Sequence, residues 1–259
     1  MIFDKSQIKN NFSRSSENYD QNAILQKIVA QNLVKLAESE ISKASKIIDL
    51  GSGTGFVTGK IIKNFPKKEI TQVDISTEML EKNPFDTTKI VADIENLPFE
   101  ENSFDLAISS LSFQWLNNLE EAIPQILKTI KKDGELYFSI LGSESLKELK
   151  IAKKSCEIEF SINEFKSEEN LRDVLKDFNF TMQKEEIILD YQNCFELLKS
   201  MKKIGANYSS SNNLEKNNLN KSKLELINNF YLKNFNLDNK VFASWQIFYI
   251  KVQIPCLTS

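Results

Sequence analysis

From Lys46 to Ile62 the chain reads KIIDLGSGTGFVTGKII: an apolar run closed by an acid, three glycines alternating with small polar residues, and a second apolar run. Gly51, Gly53 and Gly55 leave backbone open to a ligand, and glycine takes positive φ without a steric penalty. Asp49 stands just before them. Asp74 and Asp93 each close a β-rich run, EITQVD and KIVAD, and Ser109 and Ser110 close a third, FDLAISS. The spacing G-x-G-x-G misses the usual dinucleotide fingerprint, and no G-K-S/T follows as a phosphate-gripping loop requires. The chemistry on offer is that of a nucleoside without a phosphate cradle.

Asp74 at a strand end can accept both hydroxyls of a ribose. Asp93 can accept from the exocyclic amine of an adenine while Ile94 packs on the ring. Each acid has another use when taken alone, Asp74 as a helix cap and Asp93 as a turn residue, and together at one sheet edge they read as a site. Asp49 either hydrogen-bonds the glycine-loop amides or faces a cationic amine. A ligand carrying adenosine, an ammonium and a sulfonium uses all of these groups, and S-adenosylmethionine is such a ligand.

The elements that must hold these residues are legible as periodicity. KIIDL, EITQVDI, KIVAD and FDLAISS read as strands, and Phe56–Asn64 and the stretch from Ser76 (a plausible N-cap) as helices between them. Ile123, Ile126, Leu127 and Ile130 form an i, i+3, i+4, i+7 stripe, and KKDGELYFSIL then reads as a glycine-terminated helix, a turn and a fifth strand. SESLKELKIAKK is helical, TMQKEEIILDY and FASWQIFYIKV are the last two strands, and Phe195 to Phe235 is helical with a polar break. Strand–helix alternation with short loops implies a mostly parallel sheet covered on both faces. Leu25, Ile28, Val29, Leu33 and Leu36 put a helix in 21–37, and the polar NNFSRSSENYDQ before it reads as a flexible arm or lid.

Composition narrows the chemistry. The chain has 259 residues and no histidine, so neither a Ser-His-Asp triad nor a histidine zinc site is available. A net charge of −3 gives no global field for nucleic acid or an anionic membrane. Cys156, Cys194 and Cys256 are odd in number and far apart, which argues against a disulfide framework and for small apolar roles in a reducing compartment. No metal-ligand spacing, signal-like segment or membrane-length apolar run is present, and a cytoplasmic protein without a metal is expected.

IIDLGSGTG, VDIST and ADIENLPFEENSFDLAISSLSFQW resemble the class I S-adenosylmethionine-dependent methyltransferases over about Lys46 to Leu141. FSRSSENYDQNAILQ from Phe12, LSFQWLNNLEEAIPQILKTIKKDGELYFSILGSESLKEL, LLKSMKKIGANY and ASWQIFYI resemble, more specifically, the malonyl-acyl carrier protein O-methyltransferases of biotin synthesis. The resemblance implies a single Rossmann-like α/β domain over 1–259: an N-terminal helical arm or lid (1–45), a cofactor core (46–141), and substrate-side helices with the last two strands (142–259). It implies a seven-stranded, mostly parallel sheet with an antiparallel last strand, and a helical insertion before that strand. It implies a cofactor site of Asp49, Gly51, Ser52, Gly53, Gly55, Asp74, Ile75, Asp93, Ile94 and Ser110, and methyl esterification of the free carboxylate of malonyl-acyl carrier protein. The chain departs from the family at Ser52, where cysteine is usual, at Glu164, commonly arginine, and at Tyr208, often histidine.

A carboxylate is already ionised near neutral pH, so this reaction needs no base. Tyr19 and Gln114 are the candidates for catalysis and Trp115 for substrate contact. An acidic carrier needs a basic face, for which Lys199, Lys202 and Lys203, or Lys147, Lys150, Lys153 and Lys154, are candidates beside the plainer reading of solvated surface. Other readings are a methyltransferase of free small carboxylates such as trans-aconitate, a protein hydroxylase or assembly partner resembling complex I assembly factors, and a cofactor-binding protein without catalysis.

Overall fold

In the computed structural model, which describes residues 3–160, 162–204 and 220–253, the run before the glycines is strand β1 (Lys46–Leu50). It lies between β2 (Glu69–Asp74) and β4 (Phe104–Ser110), with β3 (Thr88–Val91) outside β2 and β5 (Ile130–Leu141) outside β4, all parallel. Beyond them come β6 (Asn179–Tyr191), a two-residue β7 (Asn236–Leu237) and β8 (Lys240–Gln253). The order is β3-β2-β1-β4-β5-β8-β6, and β8 runs antiparallel to both its neighbours. The antiparallel last strand is as expected. Among the described residues the sheet has eight strands rather than seven because β7 pairs with the start of β8.

Alternate residues of a strand face opposite sides of the sheet. Ile47 joins the core on one face, while Ile48 and Leu50 join the core on the other. The first face is covered by α3 (Ile24–Leu36), α4 (Glu38–Lys43), α5 (Phe56–Asn64), α8 (Lys147–Ser155), α10 (Cys194–Lys203) and α11 (Lys221–Asn234). The second is covered by α7 (Leu119–Thr129) and α9 (Glu168–Leu175). On α7, Ile123 and Ile126 are fully buried, and truncating either to alanine should cost about 2–5 kcal/mol. The short helix α6 (Thr77–Lys82) follows β2, and Ser76 caps it by accepting from the Met79 amide at 3.2 Å.

Three segments differ from the periodicity. The N-terminal polar stretch is helical throughout, as α1 (Lys5–Ser15), a 3-10 turn and α2 (Tyr19–Asn22). Asp4 caps α1 by accepting from the Ser6 and Gln7 amides, and Ile8 and Phe12, one turn apart, face inward. These anchors outweigh the poor helix propensity of Ser and Asn. Second, α7 ends at Thr129 and passes directly into β5, with no glycine cap. The register shifts between Phe104 and Leu106, so Lys131 to Gly134 form an irregularity against β4 rather than a helix end. Third, β3 stops at Val91, which leaves Asp93 in the following loop, and α9 has no counterpart among the helices read from sequence. Tyr208, the polar stretch after it and Cys256 lie outside the described residues. Cys194 is buried and its thiol is pushed up to about 12 by that burial, in keeping with an inert apolar role.

Candidate active site

The carboxyl ends of four adjacent strands converge on one cavity. Asp49 and the glycine loop come from β1, Asp74 and Ile75 from β2, Asp93 and Ile94 from the loop after β3, and Ser110 from β4. This is where an open parallel sheet binds ligands. Gly51 and Gly55 have φ of 68° and 92°, conformations that side chains rarely take. A Cβ on Gly51 would run into the Ser112 side chain, and one on Gly55 into Asn83. Gly53 and Ser52 also line the cavity, and the Ser52 hydroxyl is buried without a partner. Gly55 stands behind the lining as the N-cap of α5.

The loop is ordered from β2. The Gly51 and Ser52 amides both donate to the Val73 carbonyl at 2.7 and 3.0 Å, and the Gly53 amide donates to Asp74 Oδ2 at 2.8 Å. Asp74 Oδ1 accepts from the Ser76 amide at 2.8 Å. A carboxylate has about four acceptor positions, so these amides leave acceptor capacity for a ligand hydroxyl. Burial pushes the Asp74 carboxyl above its ordinary range, against the pull of these amides.

Asp49 does not bond the glycine-loop amides, which was one of its two expected roles. It shares the face of Ile47 and meets α5: its Oδ2 accepts from the Thr58 amide at 3.2 Å and the Thr58 hydroxyl at 2.7 Å. Its Oδ1 is buried with no partner, in a residue that lines the cavity. Burial raises its pKa to about 7, with the two Thr58 bonds opposing. An unpaired buried acceptor of this kind suits a cationic donor on a ligand.

At the other end of the cavity, Asp93 Oδ1 accepts from the Glu95 amide at 3.1 Å and from Lys5 Nζ at 3.3 Å. Lys5 also pairs with Glu95 Oε2 and donates to the Trp115 carbonyl at 3.3 Å. Glu95 Oε1 in turn accepts from the Asn117 and Asn118 amides. Helix α1 is thus fastened to the loop after β3 and to Trp115. Ser110 receives a hydrogen bond from Ser139 Oγ at 3.3 Å, whereas Ser109 is turned into the sheet and donates to the Leu50 carbonyl.

A second, wider chamber adjoins the first and shares Phe12, Tyr19, Gln26, Leu111 and Trp115 with it. The Tyr19 ring stacks on Phe56 with centroids 6.0 Å apart, and its neighbour Asp20 accepts from the Thr54 hydroxyl at 2.6 Å, tying α2 to the glycine loop. Burial, then the charges of Asp74 and Asp20, hold the Tyr19 phenol protonated well above its ordinary range. Trp115 packs edge-on against Phe3 and Phe12. Gln114 lines the wide chamber alone. Its Nε2 donates to the Leu111 carbonyl at 2.6 Å, so its buried, unpaired end is the carbonyl oxygen. An acceptor in that place suits an N–H rather than a carboxylate.

Lys199 and Lys203 are exposed residues of α10 on this chamber's wall, and Lys203 donates to Asn22 Oδ1 at 3.2 Å. Lys202 is exposed and does not line it. Asp190 and Glu196 share the wall, so the chamber carries both signs. The second lysine group is less available: Lys147 pairs with Glu186, Lys153 with Glu159, and Lys150 donates to the Ser143 carbonyl. Asn163 and Phe165 line the chamber while Glu164 between them is exposed.

Comparison with known proteins identifies the family and the fold. Residues 48–138 match the family model described as "Methyltransferase domain". A malonyl-acyl-carrier protein O-methyltransferase 2 of Ilyobacter polytropus is 33% identical over 223 residues, covering 82% of this chain and 84% of the relative. The chain belongs to the malonyl-acyl-carrier protein O-methyltransferase family. Its member in Gallionella capsiferriformans is 27% identical over 263 residues, 96% of this chain and 90% of that protein. The solved plantazolicin methyltransferase BpumL, in complex with S-adenosylhomocysteine, shares the fold: TM-score 0.55, 16% identity, covering 96% of each chain. The protein is an S-adenosylmethionine-dependent methyltransferase. Among the described residues no helix is long and apolar enough to cross a membrane.

Sequence reasoning missed Lys5, Glu95, Thr58 and Gln26. Thr58 was within reach, because strand alternation turns Asp49 toward the helix that follows the loop. Lys5 and Gln26 reach the site only through the packing of α1 and α3, which no local pattern signals.

Proposed function

We propose that the protein esterifies the free carboxylate of a malonyl group carried on acyl carrier protein, using S-adenosylmethionine, as an early step toward biotin. The observation that carries this reading is the meeting of two cavities across Tyr19, Gln26 and Trp115: one lined by Asp49, Asp74, Asp93 and the glycine loop, the other wide and mixed in charge.

The residues present suit the cofactor. Asp74 keeps acceptor capacity for a ribose hydroxyl, Asp93 and Ile94 line the same cavity as an acid and an aliphatic that suit an adenine, and the orphaned Asp49 Oδ1 suits an ammonium. When bound, S-adenosylmethionine supplies a methyl group on a positively charged sulfur.

The chain's own work is positioning. A carboxylate of pKa about 4 reaches the site ionised, so no side chain needs to remove a proton. The chain has no histidine, and Tyr19 is held as a neutral phenol, a donor rather than a base. Holding the reacting atoms in line at about 3 Å is itself a large acceleration. The apolar walls from Phe12, Leu111 and Trp115 favour it further, because opposite charges are neutralised as the bond forms. Lys199 and Lys203 at the chamber wall are the candidates for meeting an acidic carrier.

Labelled S-adenosylmethionine incubated in parallel with malonyl-acyl carrier protein, malonyl-coenzyme A and trans-aconitate tests the reading. A base-labile labelled ester on the carrier substrate is expected. Label on trans-aconitate alone, or on none of the three, overturns it.

A further inference from the structure

Gln26 stands on the first turn of α3 and belongs to the wall of both cavities. Its Oε1 is buried and has no hydrogen-bond partner. Buried amide groups in folded proteins are nearly always paired, and an unpaired one at a cavity junction points to a ligand atom. The other polar groups of the junction are the Tyr19 phenol and the Trp115 indole; Phe12 and Leu111 are apolar. Gln114, another amide of the wide chamber, lies outside the junction and has its Nε2 held by the Leu111 carbonyl.

We infer that Gln26 is the residue that grips the methyl-accepting carboxylate, by donating from its carboxamide to one carboxylate oxygen and leaving the other free to attack. The oxygen and nitrogen of a glutamine side chain exchange places by a half-turn of the terminal torsion, so the buried position now held by Oε1 is equally open to Nε2. The neutrality of the amide matters. A lysine or arginine at the junction would repel the cationic sulfur and quench the carboxylate by pairing with it. An amide orients the anion without cancelling the charge that makes it a nucleophile. The inference rests on the proposed carboxylate chemistry and names the group that recognises it.

Gln26→Leu and Gln26→Glu are the variants, with the full-length protein and malonyl-pantetheine as the probe. Affinity for S-adenosylhomocysteine, measured by calorimetry, reports folding and the cofactor site and is expected to be unchanged in both. Affinity of the S-adenosylhomocysteine-loaded protein for malonyl-pantetheine is expected to fall about tenfold to a hundredfold in Gln26→Leu, as for loss of a hydrogen bond to a charged group. It should fall further in Gln26→Glu, which sets carboxylate against carboxylate. The neutral methyl ester of the same probe should bind wild type and Gln26→Leu alike. If wild type binds and esterifies the probe but Gln26→Leu does so equally well, the inference is wrong. If S-adenosylhomocysteine affinity drops instead, Gln26 serves the cofactor and the inference is again wrong. If wild type esterifies no carboxylate at all, the proposed function fails first, and that outcome is distinguishable from the other two.

Discussion

Asp49→Asn is the perturbation whose sign the structure fixes most firmly. The carboxyl group is buried, with Oδ2 held by Thr58 and Oδ1 unpaired. Burial raises its pKa from 3.8 to about 7. Between those values the folded protein keeps a proton that the unfolded chain has released, so this group's contribution to stability falls as pH rises through the window. Once it is fully ionised the cost is about 4 kcal/mol, at about 1.4 kcal/mol per tenfold. Asparagine keeps the shape and an acceptor for Thr58 and carries no charge. It removes that cost, in which the two Thr58 bonds are already counted. The ligand-free variant should therefore be several kcal/mol, about 4 at most, more stable than wild type at pH 8, and that advantage should shrink by about 2–3 kcal/mol at pH 5. Urea unfolding at the two pH values reads this directly. Adding S-adenosylhomocysteine should stabilise wild type more than the variant at pH 8, because the anion facing the ligand's ammonium is gone. A variant less stable than wild type by the same amount at both pH values would refute the reasoning: Asp49 would then be a structural acceptor for Thr58 and nothing more.

Other residues give sharper binary outcomes. Gly51→Ala forces a side chain into a left-handed backbone position and against Ser112; about 1–2 kcal/mol of strain and loss of S-adenosylhomocysteine binding are expected, measured by unfolding and calorimetry. Tyr19→Phe should leave cofactor affinity intact and lower turnover, and unchanged turnover would remove Tyr19 from the mechanism. Lys199→Glu with Lys203→Glu should raise KM for the carrier-bound substrate and flatten its salt dependence while sparing malonyl-pantetheine; equal effects on both substrates would count against docking at that wall.

The cavity at the strand ends was legible because its lining is written in local sequence. A strand, a glycine turn and an acid at the next strand end are contiguous features, and the sheet brings them together by rules that every parallel sheet obeys. Asp74 shows the limit of that reading. It lines the cavity at the strand ends, yet it also orders the glycine loop through the Gly53 amide, a part that the sequence offers as one of two for Asp49. The wide chamber was less legible. Gln26 lies within the quoted stretch FSRSSENYDQNAILQ, but its meaning comes from a burial and a missing partner that only packing creates. Lys5 finds Asp93 across 88 residues of sequence, and nothing in the residues around either announces the pair. The β5 start was misread for a physical reason too. A glycine after a helical stripe is the usual sign of a helix end, and here Gly134 serves an irregular strand pairing instead.

The central claim is that this site makes a methyl ester on a carrier-bound malonyl group. The most direct measurement is the intact mass of malonyl-acyl carrier protein after incubation with the protein and S-adenosylmethionine. The account predicts a mass gain of one methyl ester, reversed by mild base and absent when acetyl replaces malonyl on the carrier. An unchanged mass, or the same gain on the acetyl carrier, would contradict it.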